Sequence, residues 1–203
     1  MGVSERRERE KQEMKAKILD TATKLIVEKG LEKMTIRSIA TAIEYSPRTI
    51  YLYFKDKDEI LYALSKRGFQ LFVQQFEASQ SLANPMDRLR DIHERYLRFA
   101  FENPALYDIM FILNDPMNAD PVQDGWEIGL KGHSILRTTV EACIAAGHFP
   151  GQDAATLAFT LWSYVHGMAA LKLRNRMRMY PADQIDQIIR DSSEMMLGFL
   201  DRM

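Results

Sequence analysis

Apolar residues recur at helical spacing along nearly the whole chain. Met14, Ile18, Ala22, Leu25 and Ile26 form one stripe, closed by Gly30 at a C-cap position. Ile36, Ile39, Ala40 and Ile43 follow as an i, i+3, i+4, i+7 set behind Thr35, a good N-cap. Ser46-Pro47 starts a third helix, because Ser caps and Pro suits the first helical position. Asp56-Lys57-Asp58-Glu59 resembles a capping box for a fourth helix through Ile60, Leu64, Leu71 and Phe72. Asn84-Pro85 opens a fifth with Leu89, Ile92, Tyr96, Phe99 and Ala100, and Asn103-Pro104 a sixth with Tyr107, Met110 and Phe111. Residues 114–125 hold two prolines and read as a surface loop. A seventh helix is predicted over 126–146, an eighth over 153–174, and a ninth after Pro181 with Ile185, Ile188, Ile189, Met196, Phe199 and Leu200 on one face. No run alternates in strand fashion and no internal repeat occurs. The fold class predicted is all-α, with about nine helices.

The second and third helices are too short to be stable alone, so both must pack on a support, which the first stripe supplies. A short helix, a turn and a second short helix on a third make the helix-turn-helix arrangement. Ile50 and Phe54 turn inward, leaving Pro47, Arg48, Thr49, Tyr51 and Tyr53 for solvent. Several exposed aromatic residues on one short helix are costly unless they touch something. Arg48 sits in the first turn, where its fork fits guanine O6 and N7 in the major groove. Thr35, Thr49, Tyr51, Tyr53 and Lys57 offer hydroxyls or charge to phosphate oxygens, with Arg37, Ser46, Pro47 and Lys55 in the same interface. The competing reading is that the tyrosines pack the head and Lys57 is merely solvated. The net charge of −1 divides unevenly: residues 1–67 carry +4 and residues 68–203 carry −5. A basic front and an acidic back suit a DNA-contacting head on a body with another task.

The stretch MTIRSIATAIEYSPRTIYLYFKDKDEIL resembles the DNA-binding signature of TetR-family repressors. Thr35, Ile39-Ala40, Ser46, the run from Thr49 to Phe54, and Lys57 carry the likeness, over about residues 10–65. The resemblance implies a homodimer binding a palindromic double-stranded operator through two heads, released by a small-molecule effector. It places Arg48, Tyr51 and Tyr53 at base- or phosphate-contacting positions, and Thr35 and Lys57 at phosphate anchors. Glu44 stands where the family often has Gly, so it must take a conformation glycine adopts more easily. Pro47 and Arg48 replace a more frequent Lys-Gly pair, which sets the operator sequence apart from the family's. Tyr96, Phe99-Ala100, Asn103-Pro104, Tyr107, Met110-Phe111, Trp162 and His166-Gly167 resemble a C-terminal domain named for its Trp-His-Gly pattern. That likeness implies a ligand-binding and dimer-forming body.

The division expected is a DNA-binding head over 1–55 and a helical body over 56–203. Phe99, Tyr107, Met110, Phe111, Trp126, Trp162 and His166 are candidates to line an apolar ligand cavity, with plain core packing the alternative for each. Residues 154–171 hold no Lys, Arg, Asp or Glu, which fits a membrane span at its lower limit or a buried helix. Burial is preferred, helped by a second copy, and no membrane partner is expected. Leu157, Leu161, Met168, Ile185, Ile189 and Met196 are the expected dimer contacts. Cys143, the single cysteine, lies in an apolar run and reads as a buried, inert thiol suited to a reducing cytoplasm. The four histidines lack metal spacing, and the aspartates of 114–125 lack the calcium-loop pattern, so neither metal nor cofactor is expected. Lys172, Arg174, Arg176 and Arg178 either complement the end of the eighth helix or form an anion-attracting rim. No phosphate loop or nucleophile motif is present, and the chain is not expected to be an enzyme.

Overall fold

In the computed structural model, residues 2–113 and 127–202 are described, and the regular structure among them is helical throughout. The order is α1 (Val3–Lys29), a 3-10 turn (Leu31–Lys33), α2 (Ile36–Ala42), α3 (Pro47–Tyr51), α4 (Lys57–Ser79), α5 (Pro85–Glu102), α6 (Pro104–Phe111), α7 (Glu127–Ala145), α8 (Ala154–Leu173) and α9 (Ile185–Leu200). The loop expected at 114–125, with Asp115, Asp120 and Asp124, lies outside the described residues, as does Trp126.

The helix starts are where side-chain oxygens can meet orphan backbone N–H groups. Thr35 Oγ1 accepts from the Ser38 N–H at 3.1 Å, and Ser38 Oγ answers the Thr35 N–H at 2.8 Å. Ser46 Oγ accepts from the Thr49 N–H at 3.2 Å, with Pro47 in the first turn. Asp56 Oδ1 accepts from the Glu59 N–H at 2.9 Å, and Asn84 Oδ1 from the Met86 N–H at 2.8 Å.

By packing, the described residues fall into two units. One takes 2–68 together with 105–113, the other 69–104 together with 127–202. In the first, α1 packs on the 3-10 turn and on α2, and α2 on α3. Its core comprises Ile18, Ala22, Met34, Ile39, Ile50, Phe54, Ile60 and Leu64, all buried. Each large apolar side chain so enclosed contributes about 1.5–3 kcal/mol. The same unit contains α6, which lies close against α4 at Gly68. A Cβ on Gly68 would stand 2.5 Å from Met110 Sδ, so glycine is what permits this approach.

In the second unit α5 packs on α7 and α8, α7 on α8, and α8 on α9. Phe72 is the hub of its aromatic cluster, with ring centroids 4.5 Å from Phe76, 5.3 Å from Tyr96 and 5.2 Å from Phe99. The stripe on α4 differs from the one expected. Leu71 is exposed, and Phe69, Phe72, Val73 and Phe76 are the buried set, since the apolar face drifts along a helix of 23 residues. On α9 Phe199, expected on the apolar face, is exposed, and Leu197, outside the expected set, is buried. Helix α8 buries only the face of Leu157, Ala158, Leu161, Val165 and Ala169, leaving Phe159 and Leu171 exposed. No helix among the described residues is long and apolar enough to cross a membrane. Cys143 is buried, and burial pushes its thiol up to about 11, as fits an inert side chain.

Candidate nucleic-acid interface

Between α2 and α3 the chain turns at Glu44, whose φ of 62° lies in the left-handed region. This is the strained conformation that the missing glycine predicts. The turn is held by the Tyr45 N–H donating to the Ala40 carbonyl at 2.9 Å. Behind α3, Ile50 and Phe54 are sealed into the core, at 0% and 3% exposure. Their burial fixes which face of α3 looks outward. Arg48 is exposed on it, Thr49 and Tyr53 are half-buried, and Tyr51 is 56% exposed.

The expected polar contacts divide into two groups. Thr35, Ser46 and Thr49 spend their hydroxyls locally: the first two cap helices, and Ser46 Oγ lies 3.1 Å from Thr49 Oγ1. Lys57 Nζ donates to the Leu31 carbonyl at 2.9 Å, tying the start of α4 to the 3-10 turn. Two of its N–H groups remain for another acceptor. Arg37, Arg48 and Lys55, by contrast, have no ion pair among the described residues and stand exposed. Lysines of α1 are held on the head's aromatic faces, with Lys15 Nζ 5.6 Å from the Phe54 ring and Lys17 Nζ 5.2 Å from the Tyr45 ring. Arg67 pairs with Asp20, joining α4 to α1. Sequence reasoning missed Leu52, which is 73% exposed beside Tyr51. The available signal was its place four residues after Arg48, off the Ile50–Phe54 spacing.

The other expected sites are dispersed. Tyr107 and Met110 are buried and Phe111 half-buried, all on α6 of the first unit, with Tyr107 and Phe111 ring centroids 5.2 Å apart. Phe99, Trp162 and His166 belong to the second unit. Phe99 is buried against Phe72. Trp162 and His166 are half-buried, one helical turn apart, with ring centroids at 6.2 Å. His166 Nδ1 lies 3.0 Å from the Tyr96 hydroxyl, and burial holds this imidazole below its usual pKa. His93 on α5 is enclosed further. Its Nε2 has no partner among the described residues, and burial pushes it down to about 4.

Among the expected dimer contacts, Leu157, Leu161 and Ile189 are already buried within one chain, so they offer no surface to a second copy. Met168, Ile185 and Met196 are half-buried. The exposed apolar residues of these helices are Phe159 at 58%, Leu171 at 49%, Met195 at 69% and Phe199 at 57%. Lys172 does not stand free as a rim cation. It pairs with Asp186 and lies 3.9 Å from the centroid of the Phe101 ring. A cleft of about 560 Å³ opens beside it, walled by Met177, Arg178, Tyr180 and Ile185. No group of His, Cys, Asp or Glu among the described residues is placed to hold a metal ion.

A three-helix head with an outward-facing recognition helix, in a chain whose other described elements are helices, is the architecture of a helix-turn-helix transcription regulator. The profile described as "Bacterial regulatory proteins, tetR family" matches residues 18–64, and that of "Tetracyclin repressor-like, C-terminal domain" matches residues 89–196. The chain belongs to the TetR family of DNA-binding transcriptional regulators. It is 25% identical to the HTH-type transcriptional regulator HbdR of Aromatoleum sp. (strain CIB) over 162 residues, 78% of this chain and 69% of that protein. Among solved structures, the TetR-family regulator PfmR of Thermus thermophilus superposes with a TM-score of 0.69 at 24% identity, covering 89% of this chain and 93% of that one. The regulator FadR of Bacillus subtilis, in complex with stearoyl-CoA, gives 0.70 at 20% identity, covering 92% and 97%. At these identities the likeness to solved structures is one of fold.

Proposed function

We propose that this chain is a repressor that binds a palindromic operator as a homodimer and leaves it when a small molecule enters the body. The observation that carries the reading is Arg48, exposed and without an ion pair among the described residues, on the face of α3 that Ile50 and Phe54 turn outward. A guanidinium left without a carboxylate at that place suits guanine O6 and N7. Arg37, Lys55, Lys57, Tyr51 and Tyr53 are assigned to phosphate contacts around it, which position the head without reading sequence. Thr35, Ser46, Pro47 and Thr49 set the two helix starts and present their backbone to the DNA.

The apolar surface on α8 and α9 supports pairing of two chains, with Phe159, Leu171, Met195 and Phe199 joining Met168, Ile185 and Met196. In such a dimer the two recognition helices must stand about 34–36 Å apart to reach successive major grooves. The stearoyl-CoA held by FadR supports a body that takes a small ligand. In this chain Trp162 and His166, half-buried in the second unit, are the residues assigned to that role. The cytoplasm is the compartment that suits such a regulator.

The test is binding to fragments selected from the source genome. Arg48→Ala is expected to weaken the selected site by about 10- to 100-fold and to relax one base preference. Lys57→Ala is expected to weaken all sequences alike and to lower the salt slope by about one. Unchanged affinity in both variants overturns the assignment, and a monomer in sedimentation overturns the dimer.

A further inference from the structure

The sequence pattern gives Leu52 no role, and the fold leaves it the most exposed large apolar residue of the helix-turn-helix, at 73%. It is the C-cap of α3, and its φ of −72° and ψ of −18° keep it on the helical path. Being four positions after Arg48, it shares the outward face with that residue, their Cβ atoms about 5–6 Å apart. Ile50 and Phe54, which anchor the segment, point the other way. Packing of the head therefore gives no reason for an isobutyl group here, and water is a poor neighbour for one.

An isobutyl group cannot hydrogen-bond a base edge. In the major groove the one apolar feature a base pair presents is the thymine C5-methyl. A guanidinium and an isobutyl group one helical turn apart are separated by about 5.4 Å along the helix, against about 3.4 Å per base pair. The two side chains thus reach bases one or two steps apart. We propose that Leu52 is a specificity-determining residue that packs on a thymine methyl one or two base pairs from the guanine taken by Arg48. This rests on the DNA-binding reading above and adds a sequence requirement to it: each half-site carries a G and a T within two steps.

The test uses the full-length protein and the operator recovered from genomic selection. Each thymine of a half-site is replaced in turn by deoxyuridine, which removes only the methyl group. Affinity is read by fluorescence anisotropy. For wild type, one such replacement near the guanine is expected to weaken binding about fourfold, equivalent to about 0.8 kcal/mol for a buried carbon. Leu52→Ala is expected to bind the unmodified operator correspondingly less well and to be indifferent to that same replacement. Leu52→Met keeps an apolar contact and is expected to retain the discrimination. Thermal unfolding of both variants should match wild type, as the side chain is exposed.

If every deoxyuridine replacement weakens wild type and Leu52→Ala equally, the proposal fails while the DNA-binding reading stands. Equal affinity of Leu52→Ala and wild type for the unmodified operator, or a change in oligomeric mass on Leu52→Ala, overturns it likewise. A wild-type protein that does not prefer the operator to random DNA overturns both.

Discussion

On α3, Tyr51 is 56% exposed and Leu52 73%, while in the body Tyr96 and Phe99 are 2% and 4% exposed. Residues of similar kind are thus placed in opposite ways by the two regions. For Tyr96 and Phe99 burial alone accounts for the ring, so its presence says nothing further about a ligand. On α3 the packing account fails, and what remains is a partner outside the chain. The cations show the same contrast. In the body Lys172 pairs with Asp186, and Arg95 lies 2.7 Å from Asp91, whereas Arg48 on α3 has no such neighbour among the described residues. An interface is recognised by groups the fold does not use, and a core by groups it uses fully.

The largest test of that contrast takes one buried and one exposed aromatic from the same short run. Phe54→Ala is expected to destabilise the protein by about 4 kcal/mol through lost burial and the cavity left behind. Tyr51→Ala should stay within about 0.5 kcal/mol of wild type while weakening DNA binding. Denaturant unfolding beside gel shifts checks both, and a large stability loss in Tyr51→Ala breaks the distinction.

A second test falls on the body. His93 has a folded pKa of about 4 against 6.5 unfolded. Above pH 6.5 the imidazole is neutral in both states and contributes no pH dependence. As pH falls from 6.5 towards 4, the unfolded chain takes up a proton that the folded one refuses, so stability drops. The full effect is about 3 kcal/mol. His166, shifted in the same direction, adds to the slope. Denaturant titrations from pH 7 to pH 4 should show the decline, and His93→Leu should flatten it. An undiminished slope in that variant would mean other groups carry the dependence.

The smallest effect belongs to the turn. Glu44 at positive φ carries a local penalty of about 1–2 kcal/mol, partly offset in a glycine variant by greater chain entropy. Glu44→Gly is therefore expected to raise stability by about 0.5 kcal/mol, read as a small rise in Tm, with operator affinity unchanged. A loss of affinity would make Glu44 part of the interface.

Local chemistry was legible in the sequence. Thr35, Ser46, Asp56 and Asn84 announce their helices because a cap needs only residues within one turn. The outward placement of Arg48 and Tyr51 followed from Ile50 and Phe54, two positions on one short helix. Faces that depend on distant parts of the chain were not legible. Helix α8 is apolar nearly all round, and that pattern cannot say which side meets its own chain. Hence Leu157 and Leu161, like Ile189 on α9, were assigned to a second copy although they are buried within one chain. Leu52 is different: its place four residues after Arg48, off the Ile50–Phe54 spacing, already set it on the outward face, and only its apolar character masked it.

The closeness of Gly68 to Met110 bears on the order in which the protein is made. The three helices of the DNA-reading head leave the ribosome before α4, but Met110 of α6, packed in their unit, comes 42 positions after Gly68. Closing that separation costs chain entropy before it returns any contact. A nascent chain stopped near residue 68 therefore carries the whole reading motif with part of its apolar support still unwritten. Any truncated or split version of this regulator that ends in α4 inherits the same gap.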